Sequence, residues 1–332
     1  MRLCLQIKKQ TMRMKIYNMK DFIEKIKRAS SIAILGHMRP DGDCIGSCLG
    51  LYNYITDNYT DKQVVVFLQD IPEKFRFLKG ADKIAGVMDK RRYELAISLD
   101  CGDTDRHAEF ADIFRTAEDT ICIDHHRSNE GFGNYYYCDP DASSTAECVC
   151  RHLDMSLIGR AAAEAFYCGI VHDTGVFKYP STNEDTMKCA GALISKGVRT
   201  QYIIDETFYK VSIAQSRLSG RALLEAKMYC DNKVVATCVT KEMFEEYGAI
   251  KADTEGIVDK IRVIDGVEVA VFAYQLDEEL YKFSLRSIEY VDVSKIAVAH
   301  GGGGHYRAAG FEMRGDYEQC LKTVIDMIEE QL

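Results

Sequence analysis

Several things are absent from this chain, and each absence removes a class of protein. No apolar run approaches the roughly 18 residues of a membrane-spanning helix, which excludes a helical spanning segment. The N-terminal 1–20 mix Lys and Arg with isolated apolar residues and lack the continuous apolar stretch of an export signal. Residues 1–19 are therefore expected to be an extension, with Met12, Met14 and Met19 as alternative starts. There is no Cys-x-x-Cys pair, so a structural zinc site of the usual spacing is not expected. The 13 cysteines are odd in number, and Cys122, Cys168, Cys189 and Cys238 sit in apolar segments, where a free thiol behaves as a small hydrophobe. A reducing cytoplasm is the expected compartment. Positive charge is not in excess either: 42 Lys and Arg face 51 Asp and Glu, a net charge of -9. A protein that tracks long nucleic acid normally carries a basic face. This balance points instead to a small anionic substrate reached through a bound cation. Internal repeats and low-complexity tracts are also missing.

What is present is an alternation of short apolar strands and helices in 332 residues, enough for two domains with a core each. Ser31 to Leu35, Val64 to Leu68, Leu95 to Leu99 and Ile121 to Ile123 read as strands buried on both faces, and the helical patterns between them imply a mostly parallel sheet. A helix is expected from Cys44 to Tyr59, with others over Arg160 to His172 and Glu184 to Lys196, the last stopped by Gly197. The expected class is α/β: a parallel-sheet N-terminal domain over 20–197, a linker and connecting helix over 198–230, the helix itself from Ile213 to Cys230, and a smaller α/β domain over 231–332. Its strands are placed at Lys233 to Thr240, Val267 to Gln275 and Leu280 to Ser287, and its helices at Lys241 to Tyr247, Val293 to Ala299 and Gly315 to Glu329.

In an open α/β sheet, ligands gather at the carboxyl ends of the strands. His37, Asp41, Asp43, Asp100 and the Asp124-His125-His126 triplet all fall just past such ends. Pro40 and Gly42 force a tight turn that lets Asp41 and Asp43 point to neighbouring positions. Carboxylates with a few imidazoles suit Mn²⁺ or Mg²⁺, and Fe²⁺ or Zn²⁺ less exclusively. Two such cations about 4 Å apart would use every ligand and could activate water for attack on phosphorus. Taken singly, Asp100 reads as a helix N-cap and Asp173, in Asp173-Thr174-Gly175, as a turn residue. The run Gly301 to Gly304 before His305 offers backbone N–H groups to a phosphate, or is simply a flexible loop.

Together these residues resemble the DHH phosphoesterases, whose motifs occur here in order: His37-x-x-Pro40-Asp41-Gly42-Asp43, Asp100, Asp124-His125-His126, Asp173-Thr174-Gly175, and Ser284-Leu285-Arg286-Ser287 followed by the Gly301 to His305 run. The resemblance is to the bacterial oligoribonuclease and 3′-phosphoadenosine 5′-phosphate phosphatase type, and it spans nearly the whole chain. It implies one cation held by His37, Asp41 and Asp100, and a second by Asp43, Asp100, His125 and Asp173, with Asp100 as the bridge. The implied catalytic pair is His126 and Asp100, with His126 beside the scissile phosphate. Asp124 would orient an imidazole, and His172 is an extra imidazole of supporting or incidental role. Arg286, Gly302, Gly303, Gly304 and His305 of a C-terminal DHH-associated domain would hold substrate, the active site lying in the cleft between domains. Two divalent cations are implied, Mn²⁺ first and Mg²⁺ as the alternative.

The expected reaction is hydrolysis of short oligonucleotides to 5′-mononucleotides. A 3′-phosphoadenosine 5′-phosphate phosphatase or a phosphodiesterase for cyclic or linear dinucleotides is the alternative. A single-strand exonuclease, a pyrophosphatase and a non-catalytic nucleotide sensor rank lower. The expected partners are a short oligonucleotide or small nucleotide, with no long nucleic-acid groove, no membrane, and a homodimer as the assembly considered.

Overall fold

The computed structural model describes residues 14–15, 19–88 and 91–332, so the expectation for an extension over 1–19 falls almost wholly outside the described residues. The chain divides into two compact units between Lys210 and Val211.

The first unit is built on a parallel sheet. Its described strands are β1 (Met14–Lys15), β2 (Ser31–Leu35), β3 (Gln63–Phe67), β4 (Ile84–Ala85), β5 (Leu95–Leu99), β6 (Asp119–Asp124) and β7 (Tyr135–Cys138). They lie in the order β1-β7-β6-β5-β2-β3-β4. The central strands read as mostly apolar runs because both faces are covered. Ile32 and Ile34 face one core with the helices Gly42–Asn58 and Arg160–Asp173, while Ala33 and Leu35 face another with Phe67, Phe110 and Phe114. From β2 the chain steps outward to β3 and β4, then returns to place β5 on the other side of β2. The order therefore reverses between β2 and β5. Ligand sites of open α/β sheets form at that kind of switch, and the loops leaving β2 and β5 are the ones that carry His37 to Asp43 and Asp100.

Close approach of two helices completes the floor of this region. A Cβ at Gly169 would lie 2.7 Å from the Ala146 Cβ and 2.8 Å from Asp43 Oδ1, so only glycine lets helix Arg160–Asp173 pass this near a buried carboxylate.

The second unit holds a mixed sheet of β8 (Lys227–Tyr229), β9 (Val234–Val239), β10 (Val269–Asp277), β11 (Leu280–Ser287), β12 (Gly303–His305) and β13 (Ala308–Arg314), in the order β12-β13-β11-β10-β9-β8. Only β9 and β10 pair in parallel. Both faces are packed. Phe283, Leu285 and Phe311 meet Leu321, Val324 and Ile328 on one side, and Val235, Ala270 and Phe272 meet Leu218, Ile257 and Ile261 on the other.

Two sequence expectations change. The helix expected from Ile213 to Cys230 stops at Leu224, because Lys227–Tyr229 pairs with Val234–Ala236 and the turn between them uses left-handed backbone at Cys230, Asp231 and Asn232. The stretch after Gly197 is not plain linker: it contains the helix Thr200–Ile204, whose Ile203 is fully buried in the core of the first unit. Phe208, in the following turn Asp205–Tyr209, packs on that core too.

Candidate metal centre

The loop after β2 is shaped by its own carboxylate. Asp41 caps the helix Gly42–Asn58, its Oδ1 accepting from the amides of Asp43 and Cys44 at 3.1 Å each. An N-cap at this position satisfies amides that the helix leaves unpaired, and it fixes where Asp43 points. Asp43 is fully buried, yet it is not alone: its Oδ2 accepts from Thr145 N at 2.6 Å and its Oδ1 from Ala146 N at 3.0 Å. Those amides open the helix Thr145–Arg151, capped by Ser144. A helix start is a natural cradle for a carboxylate.

The cradle itself is anchored by Glu147, also fully buried. Its Oε2 accepts from Ser143 N, Ser143 Oγ and Thr186 Oγ1 at 3.0, 2.6 and 2.9 Å, and Arg151 pairs with its other oxygen. Nothing in the expectations for this chain placed Ser144, Thr145 or Glu147 at the site. The signal existed, since Ser144-x-x-Glu147 is a helix-start pattern.

Asp100 stands at the end of β5 with φ 58°, a left-handed conformation that an aspartate adopts at some cost. It is not the N-cap that its position suggested; Asp103 caps the following turn. The unusual backbone turns the buried carboxylate so that its two oxygens face different partners. Oδ2 lies 3.4 Å from His37 Nε2, whereas Oδ1 lies 3.7 Å from His125 Nε2, 3.5 Å from His126 Nδ1 and accepts from Thr145 Oγ1 at 3.1 Å.

Around this carboxylate the expected ligands come together. His37 Nε2 is 3.7 Å from Asp41 Oδ1. His125 Nε2 is 3.0 Å from Asp173 Oδ2 and 4.0 Å from Asp43 Oδ2. The ligand atoms of Asp43, His125 and Asp173 lie within 4.8 Å of one another, as do those of Asp100, His125 and His126 and those of His37, Cys44 and Asp100. Each of the two ligand-type imidazoles turns its other nitrogen to a carbonyl: His37 Nδ1 to Met38 O at 2.8 Å and His125 Nδ1 to Ala142 O at 3.4 Å. Such contacts hold a ring so that Nε2 faces a cation. The Cys44 thiol is the misfit of the set, pushed well above its usual pKa by burial and by Cys48, with its sulfur accepting from His37 N at 3.3 Å. It supports the loop rather than offering a thiolate.

The electrostatics of this cluster call for a cation. Burial, then Asp100 and Asp173, raise Asp43 well above the ordinary carboxylate range. Asp173 is raised as well, chiefly by burial. Burial opposes charge on His125, but Asp173, Asp43 and Asp100 outweigh it and push the imidazole up to about 10. Protons are thus retained where like charges crowd together, and a divalent cation does the same work better. The donor set of carboxylate oxygens and imidazole nitrogens fits a hard divalent ion.

The triplet divides by environment. Asp124 is fully buried, and its Oδ1 lies 2.8 Å from His126 Nδ1 while accepting from His125 N at 2.8 Å. His126 is half exposed, with its pKa raised by the bond to Asp124 against the effect of burial.

His172 is placed by packing. Its ring lies 4.3 Å from the Phe208 ring and 4.9 Å from the Phe75 ring, and its Nε2 is buried without a hydrogen-bond partner among the described residues. Burial, then Lys74, lower its pKa to about 4, so it is a neutral wall.

In the second unit, Arg286 projects from β11 opposite to the buried Leu285 and Ser287, with Nε 3.9 Å from Asp259 Oδ1 and Nη1 donating to Leu285 O at 3.1 Å. The glycine run is less free than its composition implied. Gly301 N and Gly302 N donate to Val298 O and Ala297 O at the end of helix Val293–Ala299, and Gly303 to His305 form edge strand β12 against Ala308 to Gly310. Gly302, Gly303, Gly304 and His305 are all exposed.

The chain is similar to known proteins. Residues 31–170 match the DHH family, N-terminal domain, and residues 231–332 match the DHHA1 domain. The bifunctional oligoribonuclease and PAP phosphatase NrnA of Thermus thermophilus is 30% identical over 305 residues, covering 91% of this chain and 90% of that protein. The cyclic-di-AMP phosphodiesterase PdeA of Listeria monocytogenes is 27% identical over 91% of this chain, which spans only 48% of that protein. The crystal structure of an exopolyphosphatase-related protein from Bacteroides fragilis superposes with a TM-score of 0.81 at 31% identity, covering 94% of this chain and 95% of that one.

Proposed function

The chain belongs to the DHH family of phosphoesterases, and on that premise we propose that it releases 5′-mononucleotides from very short oligonucleotides with two divalent cations, Mn²⁺ in the first instance. The observation that carries this reading is the Asp100 carboxylate, whose two oxygens face two separate sets of ligands. His37, Asp41 and Asp100 would hold one cation, and Asp43, Asp100, His125 and Asp173 the other. The cations would supply Lewis-acid polarisation of the phosphoryl group and a hydroxide nucleophile at neutral pH.

The remaining work belongs to side chains. With Nδ1 bonded to Asp124, His126 presents Nε2 outward and can give its proton to the leaving ester oxygen as the P–O bond breaks. Thr145 and Ala146 amides hold the Asp43 carboxylate in position. Arg286 and His305, with the Gly302, Gly303 and Gly304 backbone, are assigned to substrate holding, for which a guanidinium fork suits a phosphate.

Hydrolysis of 3′-phosphoadenosine 5′-phosphate is the second reading, favoured by the two activities named for the Thermus thermophilus relative. Among the described residues no helix is long and apolar enough to cross a membrane. The test is a competition assay: the purified protein with Mn²⁺ is given a dinucleotide, 3′-phosphoadenosine 5′-phosphate and a cyclic dinucleotide together, and products are read by mass. Mononucleotides from the linear dinucleotide are expected first. No turnover with any divalent cation would favour a nucleotide sensor instead.

A further inference from the structure

A cavity of about 170 Å³ adjoins the cluster, lined by Asp100, Gly102, Asp103, Arg106, His126 and Ser128. Two of these are central to the reading above. Arg106 and Ser128 have so far been given no role, and both are exposed. Among the described residues neither makes an ion pair or a side-chain hydrogen bond.

For Arg106 that is unexpected in a chain of net charge -9 with two aspartates close by in sequence. Both neighbours are already committed. Asp103 Oδ1 accepts from the amides of Asp105 and Arg106 at 2.9 and 3.1 Å, and Asp105 pairs with Arg115 at 2.7 Å. The Arg106 backbone is itself fixed, since its carbonyl accepts from Met38 N at 2.7 Å and ties this turn to the His37 loop. An exposed guanidinium is thus mounted on a braced turn at the wall of a small polar cavity with His126, where the two lining carboxylates, Asp100 and Asp103, already accept from other donors.

We propose that this cavity is a phosphate subsite of the first unit, in which Arg106 forks onto the non-bridging oxygens of the phosphoryl group beside His126 and the Ser128 hydroxyl donates to the same group. The inference rests on the phosphoesterase reading and deepens it. A planar fork of donors matches two phosphate oxygens at once, and a hydroxyl adds a neutral donor without adding charge. The tetrahedral anion arrives where His126 can reach its leaving oxygen, so Arg106 contacts substrate and counts as a binding residue for the reacting group.

The experiment uses the metal-loaded full chain and inorganic phosphate as the probe, measured by calorimetry, so that binding is read without turnover. Arg106→Ala is expected to weaken phosphate binding roughly 10- to 150-fold, the range of a hydrogen bond to a charged group. Metal content should be unchanged. Arg106→Lys should recover part of the affinity, because it returns the charge without the fork, and Ser128→Ala should give a smaller loss. In turnover of a dinucleotide, free guanidinium at millimolar concentration should partly restore Arg106→Ala. Phosphate affinity within twofold of the unsubstituted protein in Arg106→Ala would overturn the proposal. So would a loss that follows from lowered metal content. Phosphate binding that depends on Arg106, in a protein that cleaves no nucleotide, would uphold the subsite while the functional reading fell.

Discussion

Asp124 Oδ1 lies 2.8 Å from His126 Nδ1, and the other oxygen of that buried carboxylate accepts from Asn129 at 2.7 Å. The pair sets which ring nitrogen faces outward and raises the pKa of the imidazole. If the imidazolium gives a proton to the leaving oxygen, the rate falls as pH rises through that raised value. Asp124→Asn should then move the alkaline limb of the pH–rate profile to lower pH and lower kcat by about 10- to 100-fold, the usual effect of removing an orienting partner. A profile that does not move would take the proton-donor role away from His126.

Metal removal gives a second prediction. In the cation-free protein Asp43, Asp173 and His125 all have raised pKa values. Groups raised on folding stabilise the fold below their unfolded values and lose that contribution as pH rises through the folded ones. For the carboxylates the loss starts near pH 4, where an unfolded Asp titrates. For His125 it runs from the ordinary imidazole value of 6.5 to about 10. The chelated protein should therefore lose stability with rising pH across neutrality. Mn²⁺ should reverse this and expel protons as it binds. Calorimetry in two buffers of different ionisation heat at pH 7 should show at least one proton released, and none released would contradict the picture. At 100 times its Kd the cation adds about 2.7 kcal/mol, which raises the thermal midpoint by roughly 5–10 °C.

His172 and Gly42 make a packing test. A Cβ on Gly42 would lie 2.1 Å from the His172 ring, so Gly42→Ala should displace the Asp41–Asp43 turn, lose metal affinity, and destabilise by about 1–3 kcal/mol. His172→Gly removes the obstacle, the ring and the Cβ at 2.5 Å alike. The double variant should recover part of the metal affinity, and His172→Leu should keep the metal stoichiometry. Loss of one cation in His172→Leu would instead make this histidine a ligand.

Much of the site could be read from the sequence because strand ends deliver it. β2 and β5 are mostly apolar, each with a single serine, so their boundaries and the ligands just beyond them stand out. The helix Thr145–Arg151 leaves little trace in the sequence because it is short and follows the tyrosine-rich β7, which does not alternate. Its amides hold Asp43, and only Ser144-x-x-Glu147 announces it. Asp100 was hard to separate from a helix cap, since a left-handed φ leaves no mark in composition. His172 was ambiguous for another reason: neighbouring a ligand in sequence, it turns toward Phe75 and Phe208 in space. The glycine run showed its composition but not that two of its amides close a helix end.

Arg286 is predicted to act on binding. It projects from β11 with a 3.9 Å approach to Asp259 as its nearest ion-pair partner. Arg286→Ala should raise KM far more than it lowers kcat, as steady-state kinetics on a dinucleotide would show. A pure loss of kcat would move this residue into the chemistry.

The central claim is that one carboxylate joins two cations. Asp100→Asn is its most direct test, read as bound metal per chain together with turnover. The account predicts that turnover is abolished and that fewer than two cations remain bound, in a protein that stays folded. Near-normal activity with both cations retained would contradict it.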